Sequence, residues 1–342
     1  MNKFVKDVCD RILNNCDVSD FKNKTILITG SNGLIGGFMA DFFYYLNKNY
    51  SYNINIILTS LSKNPERLKH LINKVTYISK DLSMGNIEYG GKVDYCFYCA
   101  GYAQPSKFLN NPNKTFFLNT TGLYNIFDNV YSINKDARCV FLSSSEIYIM
   151  NDTDTSHKET DMINLSFDHK RNPYIFGKMG GEMIVNNFRD KGFNSVSVRV
   201  SLCYGPGHLV DDNRVMSDIT RNGMSDDLVI KLFDEGVAMR RYTHMSDLLV
   251  MLFNISLNGN NSVYNVGGEE EVSIYNMAQY IGDFFGKKIQ KGVSKNKVST
   301  SAPNRVWLSL DRYKNEFGDI NFLPFEEGIE DYLKWFVSEF NV

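Results

Sequence analysis

Thr29-Gly30-Ser31-Asn32-Gly33-Leu34-Ile35-Gly36 joins a short apolar run, Thr25 to Thr29, to a segment of helical periodicity, Leu34 to Leu46. Glycines at such a junction allow a tight turn and let the backbone approach a pyrophosphate. The helix that follows offers unpaired N–H groups and the positive end of its dipole. A glycine triad alone is a weak signal. Between a strand and a helix, near the start of a βαβ pattern, it predicts a dinucleotide site. Gly30, Asn32, Gly33, Leu34, Ile35 and Gly36 are the candidate contacts.

The chain downstream keeps alternating. Strands are expected at Ile54–Thr59, Val75–Ile78, Val93–Cys99, Cys139–Ser143 and Ser195–Val200, with helices at Lys63–Asn73, Asn113–Asn134 and Pro173–Phe188. Strands separated by helices imply right-handed crossovers and a parallel sheet, and nearly all-apolar strands imply cover on both faces. The expected fold is α/β, a Rossmann-type doubly wound parallel sheet with a smaller α/β C-terminal substrate-binding domain. Phe4, Val8 and Ile12 recur at helical spacing, so residues 1–20 read as an N-terminal helical extension. The dinucleotide unit is expected over 21–200 plus about 240–258, and the substrate region over 201–239 and 259–342, with short strands at Tyr264–Val266 and Val272–Ile274.

NAD binders usually end the second strand with an Asp or Glu that holds the ribose hydroxyls. Leu58-Thr59-Ser60-Leu61-Ser62-Lys63 has no acid, and Ser60, Ser62 and Lys63 suit a 2′-phosphate. NAD is the expected cofactor, with NADP open.

Tyr174-Ile175-Phe176-Gly177-Lys178 is a Y-x-x-x-K, which on a helix puts both side chains on one face. A neighbouring ammonium favours tyrosinate and makes the phenol usable as a base. Tyr44/Lys48 and Tyr131/Lys135 share the spacing, so spacing alone does not select. Chain order does: only Tyr174 follows the fifth strand and its run Ser143-Ser144-Ser145-Glu146-Ile147-Tyr148.

The G-x-x-G-x-x-G turn resembles that of the extended short-chain dehydrogenase/reductase superfamily, the NAD-dependent epimerase/dehydratase group. The serine run resembles the S-S/T-x-E-V-Y segment of nucleotide-sugar dehydratases and decarboxylases. The resemblance runs from Lys24 to Phe336 in consistent order. Asp81-Leu82 is similar to the adenine-contacting segment, Ala100-Gly101-Tyr102-Ala103 to the loop beside the cofactor, and Asn119-Thr120-Thr121-Gly122 to a family helix motif. Arg199 through Tyr204-Gly205-Pro206, Asp212-Asn213-Arg214-Val215, Arg240-Arg241-Tyr242, Tyr264–Gly268 and Arg305 through Asp311 follow. The resemblance implies Ser144, Ser145, Glu146, Tyr174 and Lys178 as the catalytic group. It implies that Ser60, Asp81, Leu82, Ala100, Gly101, Tyr102, Asn119, Tyr174 and Lys178 meet the cofactor. Ala103, Arg199, Arg214, Val215, Arg240 and Arg305 would meet a nucleotide-diphosphate sugar, whose diphosphate suits planar arginine donors.

In the resembling family the first step is oxidation at sugar C4. Glu146 then stands where a base beside C5 would act. The 4,6-dehydratases carry an Asp before this Glu, as the acid for the C6 hydroxyl; Ser145 occupies that position here. Ser-Glu is the pairing of UDP-glucuronate decarboxylases, so a decarboxylase-like lyase is the first expectation. A 4-keto-sugar reductase, a C4 epimerase and a dTDP-glucose 4,6-dehydratase-like enzyme on a dTDP-, CDP- or GDP-sugar are the alternatives. Leu202 departs from the family's Asn. A non-catalytic dinucleotide sensor is the reading from another class, and the intact Tyr174 and Lys178 argue against it. The resemblance also implies a homodimer through a four-helix bundle of Asn113–Asn134 and Pro173–Phe188, with Phe116, Leu123, Met179 and Met183 as candidate contacts.

The 342 residues carry a formal net charge of -2 and 43% hydrophobic residues, so neither a basic nucleic-acid face nor a disordered chain is indicated. Neither a signal-peptide core nor an apolar run of membrane-spanning length is seen, so no membrane partner is expected and the compartment is expected to be the cytoplasm. Cys96 and Cys99 form a C-x-x-C inside a predicted strand, where residues three apart face opposite sides; no metal is expected there.

Overall fold

The computed structural model describes residues 2–148, 155–293, 305 and 307–340; Val306, inside the late Arg305–Asp311 segment, lies outside them. Strands β1 (Thr25–Thr29), β2 (Asn55–Ser60), β3 (Thr76–Ser79), β4 (Tyr95–Tyr98), β5 (Arg138–Ser144) and β6 (Ser195–Val200) form a parallel sheet. Beyond β7 (Leu202–Tyr204), β8 (Val229–Lys231) and β9 (Met239–His244), strand β10 (Val263–Val266) joins this sheet as its edge. The spatial order is β10-β6-β5-β4-β1-β2-β3. The domain boundary expected at 259 is thus corrected: residues 263–266 belong to the large sheet. The strand order reverses beside β1, so a crevice opens at the carboxyl ends of β1 and β4, where open α/β sheets bind ligands.

Both sheet faces are covered. Helices α1 (Lys3–Asn15) and α2 (Leu34–Tyr50) pack on one face, and a buried cluster around Phe21, Phe43, Phe97 and Phe253 fills it. The expected N-terminal helix is therefore docked: its Val5, Val8, Cys9 and Ile12 enter this core, and Arg11 pairs with Asp247 at 3.4 Å. The other face holds Leu27, Cys96, Phe127 and Phe141. Cys96 lies in this second cluster and Cys99 packs on the first, as the strand alternation requires; both are free thiols.

Two expected helices differ. Lys63–Asn73 forms only a short turn at Glu66–Leu68, because Pro65 supplies no N–H and the Arg67 and His70 side chains turn back to the buried Asp41. Asn113–Asn134 is broken. After α3 (Pro105–Asn110) come α4 (Pro112–Phe117), a π turn at Leu118–Gly122, and α5 (Leu123–Ile133). The Tyr98 hydroxyl donates to the Leu118 carbonyl at 2.6 Å within the widened turn. Such turns mark functional sites, and this one carries Asn119.

Helix α6 (Asn172–Asp190) follows β5. The C-terminal half adds α7 (Val215–Met224), α8 (Met245–Asn258), the short strands β11 (Glu271–Ser273) and β12 (Lys288–Gln290), α9 (Ile274–Phe285), α10 (Asp311–Phe317) and α11 (Phe325–Glu339). Strands β11, β9 and β7 make one small sheet, and β12 and β8 another. Helix α8 packs back on the large sheet, whereas α7, α9 and α11 share a separate core around Tyr332 and Phe336.

Candidate active site

Gly30 closes β1 with φ +65 and faces the end of β4 so closely that a Cβ there would stand 2.6 Å from the Cys99 carbonyl oxygen. A side chain is excluded twice, by dihedral and by contact. The Thr29 hydroxyl accepts from the Cys99 and Ala100 N–H groups, both at 3.1 Å, and locks the two strand ends together. Helix α2 then starts at Gly33 without a side-chain cap, and the Asn32 Oδ1 is buried with no protein partner. An uncapped helix start beside an unanswered buried acceptor fits a pyrophosphate and its ribose.

The glycine turn lines a cleft of about 510 Å³ that also holds Ser60, Asp81, Leu82, Ala100, Gly101, Tyr102 and Ala103. Its far wall carries Ser144, Ser145, Glu146, Tyr174, Lys178 and Arg214. Asp81 is held by Ser83 and by the Lys114 ammonium at 2.6 Å, which keep its carboxyl below its ordinary pKa despite partial burial. A second, more open hollow of about 610 Å³ beside Asn260 and Glu316 contains none of the predicted site residues.

Ser144 ends β5, and Tyr174 lies in the first turn of α6, with Lys178 one turn on. The Ser144 hydroxyl and the Tyr174 phenol line the same cleft wall, and Ser144 favours the ionised phenol. The Tyr174 ring stacks on Phe108 at 4.8 Å and 16°. Lys178 Nζ donates to the Leu142 carbonyl at 2.6 Å and sits 5.7 Å from the centre of the Tyr174 ring. Burial pushes the Tyr174 phenol well above its ordinary value, and the Glu146 charge adds to this; Ser144, Arg171 and Arg214 oppose it. Burial also lowers Lys178 to about 7, against the smaller raising effects of Cys99 and Glu182. Desolvation thus disfavours the ionised phenol, and the groups that oppose it are Ser144, Arg171 and Arg214. Asn119, from the π turn, borders this group: a Cβ on Gly101 would be 3.4 Å from its Oδ1 and 3.7 Å from Lys178 Nζ.

Arg171 escaped the sequence reading. It stands at the start of α6 and grips both oxygens of Glu146, at 2.7 and 2.8 Å, while its guanidinium lies over Phe108. Its place three residues before Tyr174, on the same helical face, was the available signal. Of the other sequence candidates, Arg214 reaches the cleft and is clamped by Asp212 at 2.5 Å.

Besides Asn119, which borders the group without lining the cleft, four candidates are not brought to the cleft lining. Arg199 is corrected most clearly. Its guanidinium is consumed by buried Glu182 at 2.7 Å, by the Tyr148 hydroxyl and by the Glu159 carbonyl, because a charge on a central strand needs full pairing when buried. Val215 begins α7 and is exposed. Arg240 sits on β9 and donates to the Met239 carbonyl. Arg305 lies over Trp307, 3.8 Å from Glu271. The rival Tyr/Lys pairs are scaffold: Lys74 covers Tyr44, and Lys135 covers its own partner Tyr131. No group of His, Cys, Asp or Glu able to hold a metal occurs among the described residues, and no helix there is long and apolar enough to cross a membrane.

A model of the NAD dependent epimerase/dehydratase family matches residues 26–267. A dTDP-4-dehydro-6-deoxy-D-allose reductase of a Streptomyces species is 24% identical over 326 residues, covering 92% of this chain and 96% of that one. UDP-glucuronic acid decarboxylase 1 of Xenopus tropicalis is 24% identical over 339 residues, covering 94% and 74%. The epimerase Mth375 of Methanothermobacter thermautotrophicus superposes with a TM-score of 0.78 at 19% identity, over 98% of this chain and 96% of that one.

Proposed function

The chain belongs to the NAD-dependent epimerase/dehydratase family, and on that premise we propose that it transfers hydride between a nicotinamide dinucleotide and C4 of a nucleoside-diphosphate sugar. The observation that carries this reading is the convergence of Ser144, Tyr174 and, one helical turn on, Lys178 on one wall of the cleft that also holds the uncapped glycine turn. The dinucleotide, when bound, supplies the hydride acceptor or donor. The chain's residues handle the proton. The Tyr174 phenol exchanges it with the C4 oxygen, the Ser144 hydroxyl hydrogen-bonds that oxygen as its charge changes, and Lys178 holds the geometry through Leu142. Arg214 offers its guanidinium to the diphosphate.

Net reduction of a 4-keto sugar is the outcome the geometry favours. Glu146 is engaged by Arg171 on both oxygens, and Ser145 is no acid, so neither a free C5 base nor a C6 acid is at hand. Similarity to dTDP-4-dehydro-6-deoxy-D-allose reductases over nearly the whole of both chains supports the same direction. UDP-glucuronate decarboxylation is the second reading. It is favoured by the Ser145-Glu146 pair in the cleft, since loss of CO2 from a β-keto acid needs no C6 acid. A dimer is part of the proposal. Phe116 and Met183, 38% and 66% exposed on α4 and α6, are available for it, whereas Leu123 is buried in the chain's own core.

The test is incubation with NADH or NADPH and a panel of UDP-, dTDP-, CDP- and GDP-sugars, including 4-keto sugars and a glucuronate, followed by mass spectrometry. A gain of two hydrogens with matching dinucleotide oxidation is expected. Loss of CO2 or of water replaces the reductase by a lyase, and a product of unchanged mass separable by chromatography replaces it by an epimerase; an unreactive panel with no new isomer and an unchanged dinucleotide sinks the C4 reading.

A further inference from the structure

The adenosine end of the cleft departs from what an NAD site needs. Ser60, Leu61 and Ser62 line it at the end of β2, where a carboxylate would otherwise hold the two ribose hydroxyls. We propose that this end takes the 2′-phosphate of NADP(H), making NADPH the working reductant.

The loop is built rather than slack. The Tyr77 hydroxyl of β3 donates to the Ser62 carbonyl and stands 2.6 Å from Ser60 Oγ. Lys80 N–H donates to the Ser60 carbonyl at 2.9 Å, and Ser79 Oγ to the Leu61 carbonyl at 3.3 Å. With the Tyr77 proton spent on Ser62, Ser60 must donate its own proton to Tyr77. Its oxygen is left as an acceptor for a ribose hydroxyl. The Ser62 hydroxyl has no hydrogen-bond partner among the described residues and can donate to a phosphate oxygen.

Charge points the same way. Lys80 lines the cleft, Lys63 follows Ser62, and among the described residues neither enters an ion pair. The nearby acids are answered, Asp81 by Lys114 at 2.6 Å and Glu66 by Lys69. An ammonium on the cleft wall outside any ion pair, with a second lysine next to Ser62 in sequence and the carboxylates of Asp81 and Glu66 both paired, suits a phosphomonoester of charge about −2.

This inference rests on the glycine cleft being a dinucleotide site and is independent of the C4 chemistry. The test is calorimetric titration of the cofactor-stripped protein with NADPH and NADH, without sugar. NADPH is expected to bind roughly tenfold tighter or more, the scale of added charge-assisted hydrogen bonds. Adenosine 2′,5′-bisphosphate should displace it better than ADP does. Lys80→Gln should weaken NADPH more than it weakens NADH, and Ser62→Asp should reverse the preference; both positions lie outside the core. NADH binding as tightly as NADPH overturns the inference even if a 4-keto sugar is still reduced. Binding of neither overturns it together with the dinucleotide reading.

Discussion

Arg171 Nη1 lies 2.7 Å from one carboxylate oxygen of Glu146 and 2.8 Å from the other. The guanidinium also rests on Phe108, which stacks on the Tyr174 ring, so Glu146 is tied to the helix that carries Tyr174. A carboxylate so held positions its neighbours and is not free to abstract a C5 proton. Glu146→Gln is therefore expected to keep hydride transfer to a 4-keto sugar within about tenfold, where loss of a true base costs about 10²–10⁴. Stopped-flow oxidation of the reduced dinucleotide reads this directly. The same variant replaces the charge-assisted pairing of buried Arg171 with Glu146 by a neutral one, so its Tm should fall.

Tyr174→Phe keeps the ring on Phe108 and removes only the hydroxyl. The Ser144 oxygen still accepts from the Glu146 N–H at 3.2 Å, so the wall should stay in place. The rate of hydride transfer should fall by about 10²–10⁴, and dinucleotide affinity should hold, since the glycine turn and Asn32 are untouched. Wild-type turnover in this variant would remove Tyr174 from the chemistry.

Much of this site was legible because its parts obey local rules. The strand–glycine–helix junction, the serine run and the Y-x-x-x-K each sit at a strand end or within one helical turn, and the sheet brings those ends together. What the sequence did not reveal depends on three-dimensional pairing. Arg199 matched a motif, yet buried Glu182 claims it from the neighbouring helix. Arg171 matched nothing, and its role exists only because Glu146 folds back to it across the cleft wall. The π turn was hidden because Leu118–Gly122 keeps helical periodicity, and the cause of the break, the Tyr98 hydroxyl, comes from a distant strand.

The helices α4, α5 and α6 leave Phe116, Phe117, Tyr124 and Met183 exposed on the side away from the sheet, Phe117 at 48%. Large apolar side chains clustered at a surface mark association sites. A second copy is expected to cover them. Light scattering should give a dimer, and Met183→Lys with Phe117→Lys should give a folded monomer, since neither side chain supports the chain's own core. A wild-type monomer at micromolar concentration would sink the four-helix interface.

Lys178 makes a stability prediction whose sign runs against intuition. Its ammonium is buried, and desolvation lowers it from an ordinary 10.5 to about 7. The unfolded chain therefore holds this proton up to about pH 10.5, while the folded chain releases it near 7, so between these values stability rises with pH. Below about 7 both states are protonated, and the folded state bears the full cost of the buried charge. Lys178→Met removes that cost and loses one hydrogen bond, to the Leu142 carbonyl, worth about 1 kcal/mol. The variant should be inactive yet more stable than wild type at pH 6, by on the order of a few kcal/mol, with the advantage shrinking at pH 9. Because every other titrating group is common to the two proteins, their Tm difference against pH isolates this lysine. A difference that stays flat, or grows toward high pH, would mean that Lys178 is not carrying a suppressed charge beside Tyr174.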